Sequence, residues 1–203
     1  KVYIDFVPIL RSDFRINKIS LNLKELDIIE LNKLTKIIKP SNFKSLLNNK
    51  IKEGKLISDI DIFLDEKGSF KNFIAKGTVK DLKIELIRDL NFTKTNLSFF
   101  ADSSDVLIQN IFGDLEGIKI SDGDIKLNLE DGIKINSNLN SKIYFDQELL
   151  NKYSNLFKKY SFANDVKSLN GNLTHNLYID FDKTYKVKDY NYKISGKQIK
   201  SRL

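Results

Sequence analysis

Between Ile125 and Ile143 the chain alternates apolar and polar residues so regularly that one local geometry accounts for it. Ile125, Leu127 and Leu129 share one parity with Lys126, Asn128 and Glu130 between them. After a break, Ile133, Ile135, Leu139 and Ile143 resume the pattern around Lys134, Asn136, Asn138 and Lys142. Successive side chains of a strand point to opposite faces, so the stretch predicts a β-hairpin with one apolar and one polar side. The break fits that reading. Glu130-Asp131-Gly132 is a three-residue loop ending in Gly, suited to a type I turn followed by a left-handed residue, and it sets Leu129 opposite Ile133.

The same rhythm recurs along the chain. Leu56, Ile60, Ile62 and Leu64 precede Asp65-Glu66-Lys67-Gly68-Ser69, after which come Phe70 and Ile74. Ile118 and Ile120 precede Ser121-Asp122-Gly123-Asp124, read as another turn before Ile125. Leu173, Leu177, Ile179 and Phe181 lead through Asp182-Lys183-Thr184 to Tyr185 and Val187. Short strands joined by short turns predict an all-β, long antiparallel meander. Alanine, the strongest helix former, occurs only at positions 75, 101 and 163.

Two or three short amphipathic helices are expected to interrupt the meander. Asp146 is placed to cap Gln147 to Ser161, where Leu149, Leu150, Tyr153, Leu156, Phe157 and Tyr160 follow helical spacing. Pro40-Ser41 opens a second, from Asn42 to about Lys50. Glu30 to Ile38 is a third, preceded by Leu26-Asp27-Ile28-Ile29, which reads as strand. No linker rich in Pro, Gly or Ser divides the 203 residues, so residues 1–203 are read as one domain. The start, Lys1-Val2-Tyr3-Ile4-Asp5, has neither an initiator Met nor the pattern of a signal peptide, which suggests a piece of a longer chain.

Composition removes several functional classes. With no Cys there is no disulfide framework, thiolate metal site or cysteine nucleophile. No run is long and apolar enough for a spanning helix, which needs about 20 residues. The excess of 34 Lys+Arg over 27 Asp+Glu gives a net charge of +7, but only Arg11, Arg15, Arg88 and Arg202 carry the guanidinium fork that grips phosphate in two places. Lys126, Lys134 and Lys142 share their face with Asn and Glu, so they form a solvated surface rather than a positive stripe. Nucleic acid is not expected as a partner.

Nothing announces catalysis. His175 is the single His and shares parity with Leu173, Leu177 and Ile179, with no nucleophile or carboxylate marked out beside it. There is no G-x-S-x-G elbow, no G-x-G-x-x-G and no phosphate loop. Asp122-Gly123-Asp124 and Glu130-Asp131-Gly132 lack the spacing of a calcium loop and read as turns. The chain is therefore not expected to be an enzyme, and no metal or cofactor is expected.

What stands out is the imbalance between the two faces. One carries Ile, Leu, Val and Phe for strand after strand, with only short helices available to cover it. A sandwich would bury that face by closing on itself; an open sheet would leave it as a trough for an apolar ligand. Periodicity by itself favours the closed sandwich. The residues expected to line such a trough are Ile60, Ile62, Leu64, Ile74, Val106 and Ile108, then Ile118, Ile120, Ile125, Leu127 and Leu129, and finally Ile133, Ile135, Leu139, Leu177 and Ile179.

The order of the pieces carries a resemblance. Leu31, Leu34 and Ile37-Ile38-Lys39-Pro40 come first, followed by Gly54-Lys55-Leu56 and by Phe73 with Gly77-Thr78-Val79-Lys80-Asp81-Leu82. Val106-Leu107-Ile108, Gly113, Gly117-Ile118 and Gly123-Asp124-Ile125 come after these. Together with Asp146-Gln147-Glu148-Leu149-Leu150 and Gly171-Asn172-Leu173, this resembles the AsmA-like family of Gram-negative bacteria, and within it the YhdP-type branch. The resemblance spans about Lys18 to Gly196 and rests on glycine spacing and strand rhythm. It departs from the expected pattern at Leu46 and at Asp89-Leu90-Asn91, and in the absence of Trp.

The resemblance implies a segment of a bridge-like lipid transfer protein. Such a parent is anchored in the inner membrane and crosses the periplasm as a curled β-taco whose groove carries phospholipid acyl chains towards the outer membrane. It implies phospholipid, flanking repeats of the same protein, and the membrane, reached through other parts of the parent, as partners. It transfers no catalytic residue. The alternative is a closed β-sandwich acting as a structural or interaction module of a cell-envelope protein.

Overall fold

In a computed structural model, the described residues are 1–6, 16–30, 50–87, 90–115, 117–152, 166–184 and 186–202. Alternation along the chain produces strands β1 (Val2–Phe6), β2 (Ile16–Asp27), β3 (Ile51–Leu64), β4 (Phe70–Ile87) and β5 (Leu90–Asp102). They continue with β6 (Asp105–Leu115), β7 (Ile118–Asn128), β8 (Ile133–Phe145), β9 (Ser168–Phe181) and β10 (Val187–Arg202). Every strand pairs antiparallel with its sequence neighbour, giving one 10-stranded sheet in the order β1 to β10. The sheet is open, with β1 and β10 as its edges. The expected all-β antiparallel meander is thus observed, and the closed sandwich is not.

Turn chemistry sets the hairpins. At the β3–β4 turn, Asp65 Oδ1 accepts the backbone N–H groups of Lys67 and Ser69 at 2.9 and 2.8 Å, and Gly68 sits at φ 75°. Asp102 Oδ1 closes the β5–β6 turn by accepting Ser104 N–H at 2.8 Å and Asp105 N–H at 2.9 Å. Gly132, at φ 103°, completes the β7–β8 turn that the hairpin pattern predicted. Asp182 Oδ1 accepts Thr184 N–H at 2.7 Å and Lys186 N–H at 3.1 Å in the β9–β10 turn.

One expected turn is something else. Ser121-Asp122-Gly123-Asp124 does not reverse the chain but lies inside β7. Ile120 pairs with Ser141 and Asp122 with Asn140, so Ser121 is an extra residue, a β-bulge. One added residue flips the parity of every later position in the strand, which keeps Ile118 and Ile120 on the same face as Ile125 and Leu127. The sequence break marks a correction of phase, not a reversal of direction.

Ser121 is one of a band of irregularities crossing β2 to β7. Register shifts fall between Leu23 and Leu26 on β2 and between Glu53 and Lys55 on β3, around Gly54. Three further residues, Asp81 on β4, Lys94 on β5 and Asn110 on β6, have φ of 50°, 51° and 53°. The residue after each is buried: Leu82 at 4%, Thr95 at 1% and Ile111 at 4% exposure. Bulges sharpen local twist and re-aim side chains. Here they drive the next side chain into the packed part of the apolar face.

Among the described residues, helical segments cover one end of that face. Asp146 caps α1 (Gln147–Lys152), its Oδ1 accepting Leu149 N–H at 3.0 Å, as the sequence predicted. Leu150 of α1 packs with Ile143, Phe145 and Val166, and Ile118, Leu149, Leu169 and Leu173 surround them. A second cluster joins Ile28, Val79 and Leu82, flanked by Ile51, Leu56, Ile84, Leu97 and Phe99. Both clusters lie at the end of the sheet where β2 and β8 finish and β3 and β9 begin.

The reading of Leu26 to Ile29 as strand holds for Leu26 and Asp27 and is corrected for Ile28 and Ile29. β2 stops at Asp27, and residues 28–30 are helical because Asp27 Oδ1 accepts Ile29 N–H at 2.8 Å. That turn drops Ile28 onto Val79 and Leu82. The helix expected over residues 42–49, and the remainders expected over residues 31–38 and 153–161, lie outside the described residues.

Candidate functional site

The register lines up one row of apolar side chains across the whole sheet. Val2 faces Leu21, Leu21 faces Ile60, and Ile60 faces Ala75. Ala75 faces Ala101, which faces Val106, which faces Leu127. Leu127 faces Ile135, Ile135 faces Ile179, and Ile179 faces Tyr190 on β10. Directly opposed residues of antiparallel strands project to the same side, so this is a single unbroken stripe. At about 4.8 Å per strand it runs roughly 43 Å along the sheet. Only Ala75 and Ala101 are buried; Leu21, Ile60, Val106, Leu127, Ile135 and Ile179 are half-buried, and the ends, Val2 and Tyr190, are exposed.

A second row runs beside it from Leu23 through Ser58, Gly77, Phe99, Ile108, Ile125, Ser137 and Leu177 to Tyr192. Ser58, Gly77 and Ser137 are small, so this row is dented. A depression of about 660 Å³ passes Leu23, Ser58, Gly77 and Phe99 and reaches Asn22, Asp59 and Lys76 of the polar parity. Another, of about 480 Å³, is lined by Ile120, Ser137, Leu139, His175, Leu177, Tyr190 and Tyr192.

Of the residues expected to line a trough, Ile60, Ile62, Leu64, Val106, Ile108, Ile120, Ile125, Leu127, Ile133, Ile135, Leu139, Leu177 and Ile179 lie on this face in half-buried positions. Leu129, also half-buried, sits in the turn after β7, its N–H bonded to Ser104 O at 2.8 Å. Two positions differ. Ile74 belongs to the polar face, opposite Asp61 and Asp102, because Leu64 pairs with Phe70 while Phe63 pairs with Asn72. The extra residue, Lys71, reverses parity, and Phe73 and Ala75 take the apolar side instead. Ile118 keeps the apolar parity but packs under α1 with Ile143 and Phe145.

Sequence reasoning passed over Leu21, Ala75, Ala101, Phe99, Tyr190 and Tyr192. The alternations Ile19-Leu21-Leu23 and Tyr190-Tyr192-Ile194 were available as a signal. For Ala75 and Ala101 no local signal existed; only the register shows that small residues meet at the middle of the stripe.

The opposite face is laced by charge. Asp61 accepts Ser20 Oγ–H at 2.6 Å and pairs with Lys18 at 2.9 Å, and these partners hold its carboxyl below the usual range. Lys55 pairs with Glu25 at 2.6 Å and Lys52 with Glu85 at 3.0 Å. Among the described residues, no group of three or more His, Asp or Glu is placed to hold a metal ion, and no helix is long and apolar enough to cross a membrane.

The apolar face also carries a short hydrogen-bonded chain. Ser141 Oγ lies 2.7 Å from His175 Nε2, and His175 Nδ1 lies 2.9 Å from Tyr192 OH. The His175 and Tyr192 rings stack with centroids 6.3 Å apart. Burial pushes the imidazole pKa down and the Tyr192 phenol up. A serine beside a histidine invites comparison with a nucleophile and base, but Ser141 is 2% exposed and Tyr192 stands where a carboxylate would orient the ring. No family model, curated protein or solved structure matches this chain.

Proposed function

We propose that the apolar face carries phospholipid acyl chains, and that the chain is a segment of a periplasm-spanning lipid transfer protein of the AsmA-like kind, whose parent is anchored in the inner membrane. The observation that carries this reading is the stripe from Val2 to Tyr190, continuous over all ten strands and, among the described residues, not covered by a second sheet. A contiguous apolar surface left partly open to water marks an interaction site, and its shape here is long and one-dimensional.

The energetics suit a conduit. Each CH₂ removed from water contributes about 0.8 kcal/mol, so several methylenes lying along the stripe are held by several kcal/mol without directional contacts. Rows of Ile, Leu and Val offer near-equivalent positions, so a chain can slide between them. A headgroup stays in water at the sheet margins because burying a charge without a partner is costly.

Native mass spectrometry of the purified protein tests the proposal by looking for bound phospholipid. Leu127→Asp and Ile135→Asp each place a carboxylate in the middle of the stripe and are expected to abolish co-purifying lipid, while Lys126→Ser on the polar parity is expected to leave it unchanged. Lipid bound equally by the Asp variants would end the proposal.

A further inference from the structure

We infer that Tyr192 presents a hydroxyl hydrogen to the apolar face and is the polar anchor for an acyl ester carbonyl; this rests on the lipid reading above. The chain Ser141–His175–Tyr192 has two links but, with neutral imidazole, three hydrogens: one on each hydroxyl and one on the ring. One hydrogen is therefore surplus, and the tautomer decides where it goes.

If Nε2 carries the ring hydrogen, it donates to Ser141, and the Ser141 O–H is the one left over. Ser141 is 2% exposed, and among the described residues its hydroxyl has His175 as its hydrogen-bond partner. That tautomer strands a donor in a dry site, which is costly. If Nδ1 carries the hydrogen instead, Ser141 donates to Nε2, Nδ1 donates to the Tyr192 oxygen, and the surplus O–H belongs to Tyr192. Tyr192 is 53% exposed and borders the 480 Å³ depression. Burial at Ser141 thus selects the Nδ1–H tautomer and turns Tyr192 outward as a donor.

The surroundings specify the acceptor. Ile120, Leu139 and Leu177 line the depression, and among the described residues no charged side chain does. A carboxylate bound there would lose its hydration without gaining a cation, whereas an ester carbonyl is neutral and arrives attached to hydrocarbon. The ligand class is an acyl ester lipid, seated with its chain along the stripe and one carbonyl at Tyr192.

Two measurements test this. His175 is the only His, so the imidazole ¹⁵N spectrum of the intact chain contains one ring. Nδ1 is expected to be protonated and Nε2 unprotonated at neutral pH, and the reverse overturns the inference. Binding is then titrated with a fluorescent diacyl phosphatidylethanolamine and with its dialkyl ether counterpart, matched in chains and headgroup. The ester is expected to bind about fivefold tighter, the size of one net hydrogen bond, and Tyr192→Phe to erase that difference. Ser141→Ala, which leaves Tyr192 in place but frees the ring to adopt either tautomer, is expected to weaken the preference. Equal binding of ester and ether by the unaltered protein overturns the anchor and leaves the lipid reading intact. A preference that survives Tyr192→Phe also overturns it, and binding of neither lipid overturns both.

Discussion

Leu127 and Ile135 stand directly opposite each other on β7 and β8, both half-buried, while Ile143, eight pairs further along β8, is 6% exposed beneath α1. The same face is therefore dry at one end and open at the other, and the two ends should respond differently to truncation. Leu127→Ala is expected to lower the unfolding free energy by about 1 kcal/mol, because the leucine has surrendered only part of its contact with water. Ile143→Ala should cost about 2–4 kcal/mol, since it leaves a cavity among Phe145, Leu150 and Val166. Urea midpoints decide the matter; equal losses would mean that Leu127 is covered in solution.

Two turn glycines separate strain from clash. Gly68 has φ 75° and nothing within 4 Å of an added Cβ, so Gly68→Ala should cost only the left-handed backbone strain, about 1 kcal/mol. Gly132 has φ 103°, and a Cβ there would run into the Phe181 carbonyl of the adjoining strand. Gly132→Ala is expected to lower the thermal midpoint clearly more than Gly68→Ala does. The reverse order would show that the β7–β8 turn can yield.

Lys94 occupies left-handed φ at a bulge, where a Cβ is a liability, and its side chain is exposed. Lys94→Gly should therefore be neutral or stabilising by up to about 1 kcal/mol. Lys76→Gly, in regular exposed strand, should lose about 0.5–1 kcal/mol. Paired denaturation curves compare them. Loss at Lys94 equal to that at Lys76 would contradict the bulge geometry.

The pH response is set by the direction of each shift. Burial lowers the His175 pKa in the folded chain, so between its folded and unfolded values the unfolded state binds more protons. Its contribution is complete above the ordinary His range and is lost as pH falls through and below it. Asp182, whose pKa is lowered first by the Thr184 hydroxyl and then by the N–H groups of Lys186 and Thr184, contributes above the ordinary carboxylate range and loses that contribution as pH falls further. Stability is expected to decline in two stages on acidification. The first stage should vanish in His175→Gln, and its persistence would rule out His175 as its source.

Much of this architecture was legible locally. The alternation of Ile125 to Ile143 names its own hairpin, Gly132 its turn, and Asp146 its helix cap, because each depends on residues within a few positions of one another. Phase corrections were not legible. Lys71 and Ser121 look like any polar strand or turn residue, yet as extra residues they send Ile74 to the charged face and keep Ile120 on the apolar one.

The sequence alone determined that this chain makes amphipathic strands in antiparallel succession, since period-two alternation and short polar turns act through neighbouring residues. Strand pairing in three dimensions set the rest: the sheet stays open, Val2 and Tyr190 end one stripe, and Ser141, His175 and Tyr192 meet across separations of 34 and 17 residues. An apolar parity is the same string of letters whether a second sheet covers it or not. Which residues face each other is set by register, and register belongs to the pairing of strands rather than to any one of them.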